Sequence, residues 1–440
     1  VSTDLSKILV SSSRPQWQQK ITDLQEKLFE AAYFKPEDEK HKQLTSIINA
    51  VSQRKDAALQ EFTEKFDAVS IPKGQFQVSK KRLKEAHDSI DKELLTSIRR
   101  SIANVRKYQK KIFIGRKSYF SNGTGIKYTP IKRVGICVPG ASAPLPSTVI
   151  MTAVPAQVAD VREIAVVSPP RYKGGIHPVI LAVCYELKID EVYSVGGAQA
   201  VAALAYGTES VRAVNKIVGP GNAWVQMAKR AVFGVVDIDC IAGPSEVLII
   251  ANDKAKPAFV AADMLSQAEH SPGSAVLFTD SMKLANDVLT ELANQLRQLD
   301  RKEETEKCLL DFSGIVVFED IEDCIKQANI FAPEHIEIQC GSGSKRISKK
   351  IENAGAIFIG DFSPVAVGDY WAGPSHTLPT GATARFFSAL SSNDFIKSTS
   401  IIEYDKKKLN QSAADIIRLS QTEGLGAHAK SIQIRQQRKQ

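Results

Sequence analysis

The sequence predicts an α/β fold of parallel sheets covered on both faces, and three observations carry that expectation. From about Arg133 onward, short apolar runs alternate with amphipathic stretches at helical spacing. Strand, helix and strand in repetition is the pattern of parallel sheets wrapped by helices. The third observation is length: 440 residues allow two or three domains, each with an apolar core that needs no covalent staple.

Residues 1 to about 110 are rich in Lys, Glu, Gln, Leu and Ile, with Ile21, Leu24, Leu28 and Ala31 at helical spacing. Helices are expected there, broken around residues 70–74. The strand-like runs follow at 163–167, 191–195, 247–250, 275–278, 315–318 and 356–359. Between them, residues 198–206, 259–270 and 284–299 read as helices. Open sheets of this kind place ligands beyond the carboxyl ends of their strands. From about Phe386 the pattern fades into a polar, helix-compatible tail carrying Glu423 and His428.

Composition narrows the function classes. Lys+Arg 57 against Asp+Glu 49 leaves a net charge of +8, but the signs are mixed nearly everywhere. With only 7% aromatic residues, this argues against a nucleic-acid-binding stripe. The one compact basic run, Arg435 to Gln440, reads as a solvated tail. No apolar run reaches the ~18 residues that span a bilayer, because prolines 139, 144, 146 and 155 cut the best candidate. No partner membrane is therefore expected. The six cysteines form no C-x-x-C pair and sit mostly in apolar runs, so they read as buried thiols of a cytoplasmic protein. The N-terminal residues show no secretory signal, and the sequence leaves open whether a targeting segment preceded Val1.

No G-x-G-x-x-G is present. The turns Gly196-Gly197 and Val218-Gly219-Pro220-Gly221-Asn222 could receive an anion at a helix start, or simply connect strand to helix. Gln267 and His270 are three residues apart and share a face on a helix; alone, His270 also reads as a helix end before Ser271-Pro272-Gly273. With Asp369, His376, Glu423 and His428 in similarly polar segments, the mix of imidazole, carboxylate and amide suits a catalytic divalent cation. The pair Glu334-His335 precedes the alternating run Ile336-Glu337-Ile338. It reads either as a proton relay that activates a water or as a solvated strand entry.

Taken together, these segments resemble the histidinol dehydrogenases over essentially the whole chain. The carrying strings are Val138-Pro139-Gly140, Ser194 to Ala200, Val218 to Asn222, Ala242 to Glu246, Leu265 to His270, Ala332 to His335, Gly368 to Tyr370, Leu378 to Gly381 and Glu423 to Leu425. The resemblance implies a four-electron oxidation of L-histidinol to L-histidine through an enzyme-held aldehyde, using two NAD, as the last step of histidine biosynthesis. It implies one zinc per subunit on Gln267, His270 and Asp369, completed by His428 from the other subunit of a homodimer with shared active sites. Substrate contacts would come from Ser245, His335, Glu423 and His428 beside the metal ligands, with His335 as general base and Glu334 activating water. NAD contacts map to Gln199, Asn222 and the position of Cys137, and His376 to an orienting role. A relative on the same scaffold that oxidises another hydroxyl substrate is the alternative.

The implied architecture is two Rossmann-like parallel-sheet domains with helical terminal segments. A helical segment at 1–32 precedes a first domain at 33–136 and 245–385, which carries the metal and substrate residues. A second domain at 137–244 takes NAD, and the tail 386–440 crosses to the partner. Cys137 stands where the family often has Tyr, and Ala141, Ala382 and Ala389 stand where Gly is usual, which removes freedom at positive φ.

Overall fold

The computed structural model describes residues 5–115, 117–140, 144–270 and 272–436. Ala141, Ser271 and the last four residues of the basic run lie outside them. The chain divides into two units, Val1–Phe113 with Ile131–Phe395, and Ile114–Pro130 with Ile396–Gln440.

The first unit holds two parallel sheets. The six-stranded sheet runs in the order Leu9–Ser11, Gly314–Val317, Gly273–Thr279, Ser245–Ala251, His335–Gln339, Ala356–Ile359. Its two faces are separately buried, as the apolar runs require. Val247, Ile249 and Ala251 pack with helices Pro257–Ala268 and Met282–Leu296. Leu248 and Ile250 point the other way, onto helix Ile321–Phe331. The five-stranded sheet runs Glu191–Ser194, Glu163–Ser168, Arg133–Cys137, Lys216–Val218, Asp237–Ile238.

Two details depart from the sequence reading. Strand Leu9–Ser11 pairs in parallel with Gly314–Val317, although the N-terminal region reads as helical; three residues are too short to show a period. Helices Glu39–Arg54 and Asp56–Asp67 share their core with the five-stranded sheet, and strand Arg133–Cys137 is part of that sheet. The boundary drawn at residue 136 groups both with the other sheet. Asp56 staples these helices in place: its carboxylate accepts from Gly74 N at 3.1 Å and from Ser210 Oγ at 2.6 Å.

The second unit contains an antiparallel sheet in the order Ile396–Ile402, Thr124–Pro130, Tyr119–Ser121, followed by helices Lys406–Thr422 and Gly426–Gln436. The tail is thus not purely helical. Its strand is largely exposed and held by backbone pairing, so no buried stripe marks it in the sequence. The hairpin turns on Asn122-Gly123, both at positive φ (50° and 75°), the geometry of a tight two-residue loop. Among the described residues, no helix is long and apolar enough to cross a membrane. All six cysteine side chains are buried.

Candidate active site

A cavity of about 720 Å³ opens in the first unit, lined among others by Cys137, Gly197, Gln199, Asn222, Ser245 and His270. The first four belong to carboxyl ends of strands in the five-stranded sheet or to the helix starts that follow. On this side the cavity therefore lies at the carboxyl ends of the strands. Ser245 instead opens a strand of the six-stranded sheet, and His335 opens the strand beside it. On that side the polar residues gather at amino ends, contrary to the expectation. The physical reason is the bare edge left where a chain enters a sheet: N–H and C=O groups there need partners, and polar side chains supply them.

On the five-stranded side, Asn222 caps helix Ala223–Val232, its Oδ1 accepting from Val225 N at 3.2 Å. Gln199 is buried near the start of helix Gly197–Tyr206. Gly219 has φ +110°, and a Cβ there would collide with the Cys137 carbonyl, so the loop lies directly against that strand end. The Cys137 thiol is buried, and that burial pushes its pKa up to about 12, which makes it inert wall.

On the six-stranded side, His335 and Glu334 are both 4% exposed, which rules out a solvated strand entry. The imidazole Nδ1 lies 3.0 Å from the Glu246 carbonyl oxygen. A carbonyl can only accept, so Nδ1 carries the proton and Nε2 keeps its lone pair. Nε2 is buried with no hydrogen-bond partner and lies 4.0 Å from Asp369 Oδ1. Burial, helped by neighbouring His376 and His270, lowers the pKa of His335 to about 4, so the ring is a neutral base near pH 7. The Glu334 carboxylate accepts Glu246 N–H at 2.9 Å and a hydrogen bond from Ser245. Burial nonetheless raises its pKa well above the carboxylate range, with Glu246 and Asp369 adding like charge.

Glu246 is the residue that sequence reading missed. Its backbone grips both Glu334 and His335, while its own carboxylate accepts Gly381 N–H at 2.8 Å. Burial pushes it up to about 7. Gly381 and Ala382 both have positive φ (59° and 61°), and the backbone N–H groups of both hydrogen-bond this carboxylate. The only sequence signal was its place after Ser245 in a matching string.

Asp369 stands on the short helix Val365–Tyr370. That helix lies close to strand Ala356–Ile359 because a Cβ on Gly368 would come within 2.7 Å of the Phe358 ring. Phe358 in turn lies 5.9 Å from the His335 ring. Burial raises Asp369 to about 6. His376, lowered to about 4 by burial, bonds the Asp369 backbone. Helix Pro257–Ala268 carries Gln267 and stops before His270, which follows its cap. His270 is exposed yet lines the cavity, and desolvation lowers its pKa. Gln267 is buried with Nε2 unpartnered. Glu423 and His428 belong to the second unit, where Glu423 caps helix Lys406–Thr422 and His428 stands exposed on Gly426–Gln436.

Among the described residues, no group of three or more His, Cys, Asp or Glu side chains is gathered to hold a metal. The residues of the first unit fit part of a zinc shell: an unsatisfied buried amide at Gln267, an imidazole kept neutral at His270, and the Asp369 carboxylate, which pairs with no lysine or arginine among the described residues.

A family model described as histidinol dehydrogenase matches residues 34–436. A histidinol dehydrogenase of Rhodopirellula baltica is 46% identical over 394 residues, covering 89% of this chain and 85% of that protein. One of Bacillus subtilis is 45% identical over 407 residues, covering 91% and 94%. The crystal structure of histidinol dehydrogenase from Elizabethkingia anophelis superimposes with a TM-score of 0.88 at 33% identity, covering 97% of each chain. The chain belongs to the histidinol dehydrogenase family of NAD-dependent oxidoreductases.

Proposed function

We propose that the protein oxidises L-histidinol to L-histidine through L-histidinaldehyde, the last step of histidine biosynthesis, in a homodimer with shared active sites. Gln267, His270 and Asp369 would hold zinc together with His428 of the partner subunit. Zinc bound there would fix the substrate nitrogens, and NAD would accept the hydride of each oxidation. Gln199 and Asn222 would contact NAD on the side of the five-stranded sheet; the residues at the amino ends of the six-stranded sheet would bind substrate and metal. Ser245 and Glu423 would meet the substrate, the carboxylate of Glu423 favouring a charged amino alcohol.

The observation that carries this reading is the state of His335: Nδ1–H is committed to the Glu246 carbonyl, which leaves a bare, buried Nε2. That nitrogen takes the hydroxyl proton as the alcohol is oxidised. Glu334, raised by burial, is a stronger base than an ordinary carboxylate whenever it is ionised, which suits it to draw a proton from the water that adds to the aldehyde. His335, which its low pKa lets release the first proton to solvent between the two oxidations, then takes the proton of the resulting diol.

The test is NADH yield with L-histidinol, before and after dialysis against a chelator. Two NADH per histidinol, lost on chelation and restored by zinc, support the reading. One NADH, or activity indifferent to chelation, contradicts it.

A further inference from the structure

Strand His335–Gln339 alternates, so His335, Glu337 and Gln339 share a face while Ile336 and Ile338 enter the core behind it. The polar face is covered. Glu337 is 1% exposed and Gln339 is 2% exposed. Gln339 Nε2 donates to Asp263 Oδ2 at 2.7 Å and to Glu337 Oε2 at 3.1 Å. The two carboxyl groups hydrogen-bond each other, and Glu337 Oε1 accepts Val365 N–H at 2.9 Å. No lysine or arginine pairs with either carboxyl among the described residues, so two full charges would repel with nothing to offset them. One proton shared between the carboxyls removes that conflict. Burial keeps both groups above the usual carboxylate range, and their mutual hydrogen bond favours the proton on Glu337.

These contacts join three separate elements. Asp263 lies one turn before Gln267 on helix Pro257–Ala268, the helix that leads into His270. Glu337 lies two residues after His335 on its strand. Val365 is the first residue of the helix that carries Asp369. We propose that the Asp263–Glu337–Gln339 cluster ties these three elements in one register, making Asp263 and Glu337 positioning residues for the oxidation that act through Gln267, His270, His335 and Asp369. This rests on the assignment of zinc and proton transfer made above.

The test compares three variants of the full-length enzyme in zinc retained against a competing chelator, kcat, and KM for NAD. Glu337→Ala is expected to weaken zinc retention and kcat about 10–100-fold, the range for partners that orient metal ligands, with KM for NAD changed less than about twofold. Glu337→Gln keeps an acceptor for Val365 and a donor for Asp263 and gives up only the longer bond from Gln339, and is expected to restore both quantities to within about threefold of wild type. Val365→Pro deletes one donor at a helix start, where Pro364 already has the extended ψ of 160° that a following proline needs. It is expected to fall between the other two, and it decides the matter if Glu337→Ala does not fold.

A folded Glu337→Ala or Val365→Pro enzyme with wild-type zinc retention and kcat overturns the proposal. So does a Glu337→Gln enzyme as impaired as Glu337→Ala. Asp369→Ala, run in parallel, separates the two levels. If it keeps its zinc, the ligand assignment is wrong, and the cluster is then judged on kcat alone, which Glu337→Ala must lower and Glu337→Gln must restore.

Discussion

Both parallel sheets gather carboxylates at the amino ends of their strands, and the two gatherings are opposite in character. At the five-stranded sheet, Glu191 accepts from both terminal guanidinium nitrogens of Arg133 at 2.8 and 2.6 Å, and Arg212 and Tyr193 bond it as well. The Arg133 hydrogen bond is the main reason its pKa falls to about 2. At the six-stranded sheet, Glu246, Glu334 and Asp369 meet no lysine or arginine among the described residues, and burial drives all three upward. For Glu191, Glu246 and Glu334, residue type and place at a strand's amino end are alike; countercharge differs. A carboxylate with its own arginine is a tether, whereas one left without a protein cation can accept a proton or a metal ion near neutral pH.

The contrast breaks most visibly at its catalytic end. His335→Asn is expected to lower kcat about 10²–10⁴-fold, the usual worth of a placed proton acceptor, and steady-state turnover of histidinol measures it. Glu334→Gln is expected to spare the first hydride and slow the second step about 10²–10³-fold, so that the NADH yield per histidinol falls from two toward one.

On the tether side the effect moves from rate to stability. Glu191→Gln is expected to cost about 3 kcal/mol at pH 7, read by chemical denaturation, with kcat unchanged. The sign of its pH dependence follows from the depressed pKa. The Glu191 contribution is fully present above the ordinary value of 4.5 and disappears as pH falls toward about 2. Wild type should lose this increment on acidification and the variant should not. A variant that lost activity at unchanged stability would erase the distinction between the two regions.

The smallest effect refines the geometry around Glu246. Ala382 has φ 61°, ψ 13°, a left-handed conformation that costs a Cβ-bearing residue energy. Relief of that strain outweighs the extra chain entropy of glycine, so Ala382→Gly is expected to stabilise by about 0.5 kcal/mol, measured as a small rise in midpoint.

Much of this was legible in the sequence, for identifiable reasons. Strands buried on both faces write themselves as apolar runs, and the runs 315–318 and 163–167 match Gly314–Val317 and Glu163–Ser168 to within a residue at each end. The exposed strand Ile396–Ile402 was not legible, since backbone pairing leaves no pattern in side chains. At the site, Glu334 and His335 could be named, but not their protonation, because that depends on the Glu246 carbonyl 89 residues away along the chain. Glu337 was misleading in a useful way. Alternation with isoleucine suggests a wet face, and only the covering helix that holds Asp263 and the helix that begins at Val365 make it dry.

The alternation along His335–Gln339 also guards folding itself. Sliding this strand by one position against Ser245–Ala251 would drive an imidazole, a carboxyl and an amide into hydrocarbon and push Ile336 and Ile338 out among polar neighbours. No mispaired sheet could hide such an error, so the residues that perform the chemistry also proofread the alignment of the strand that bears them.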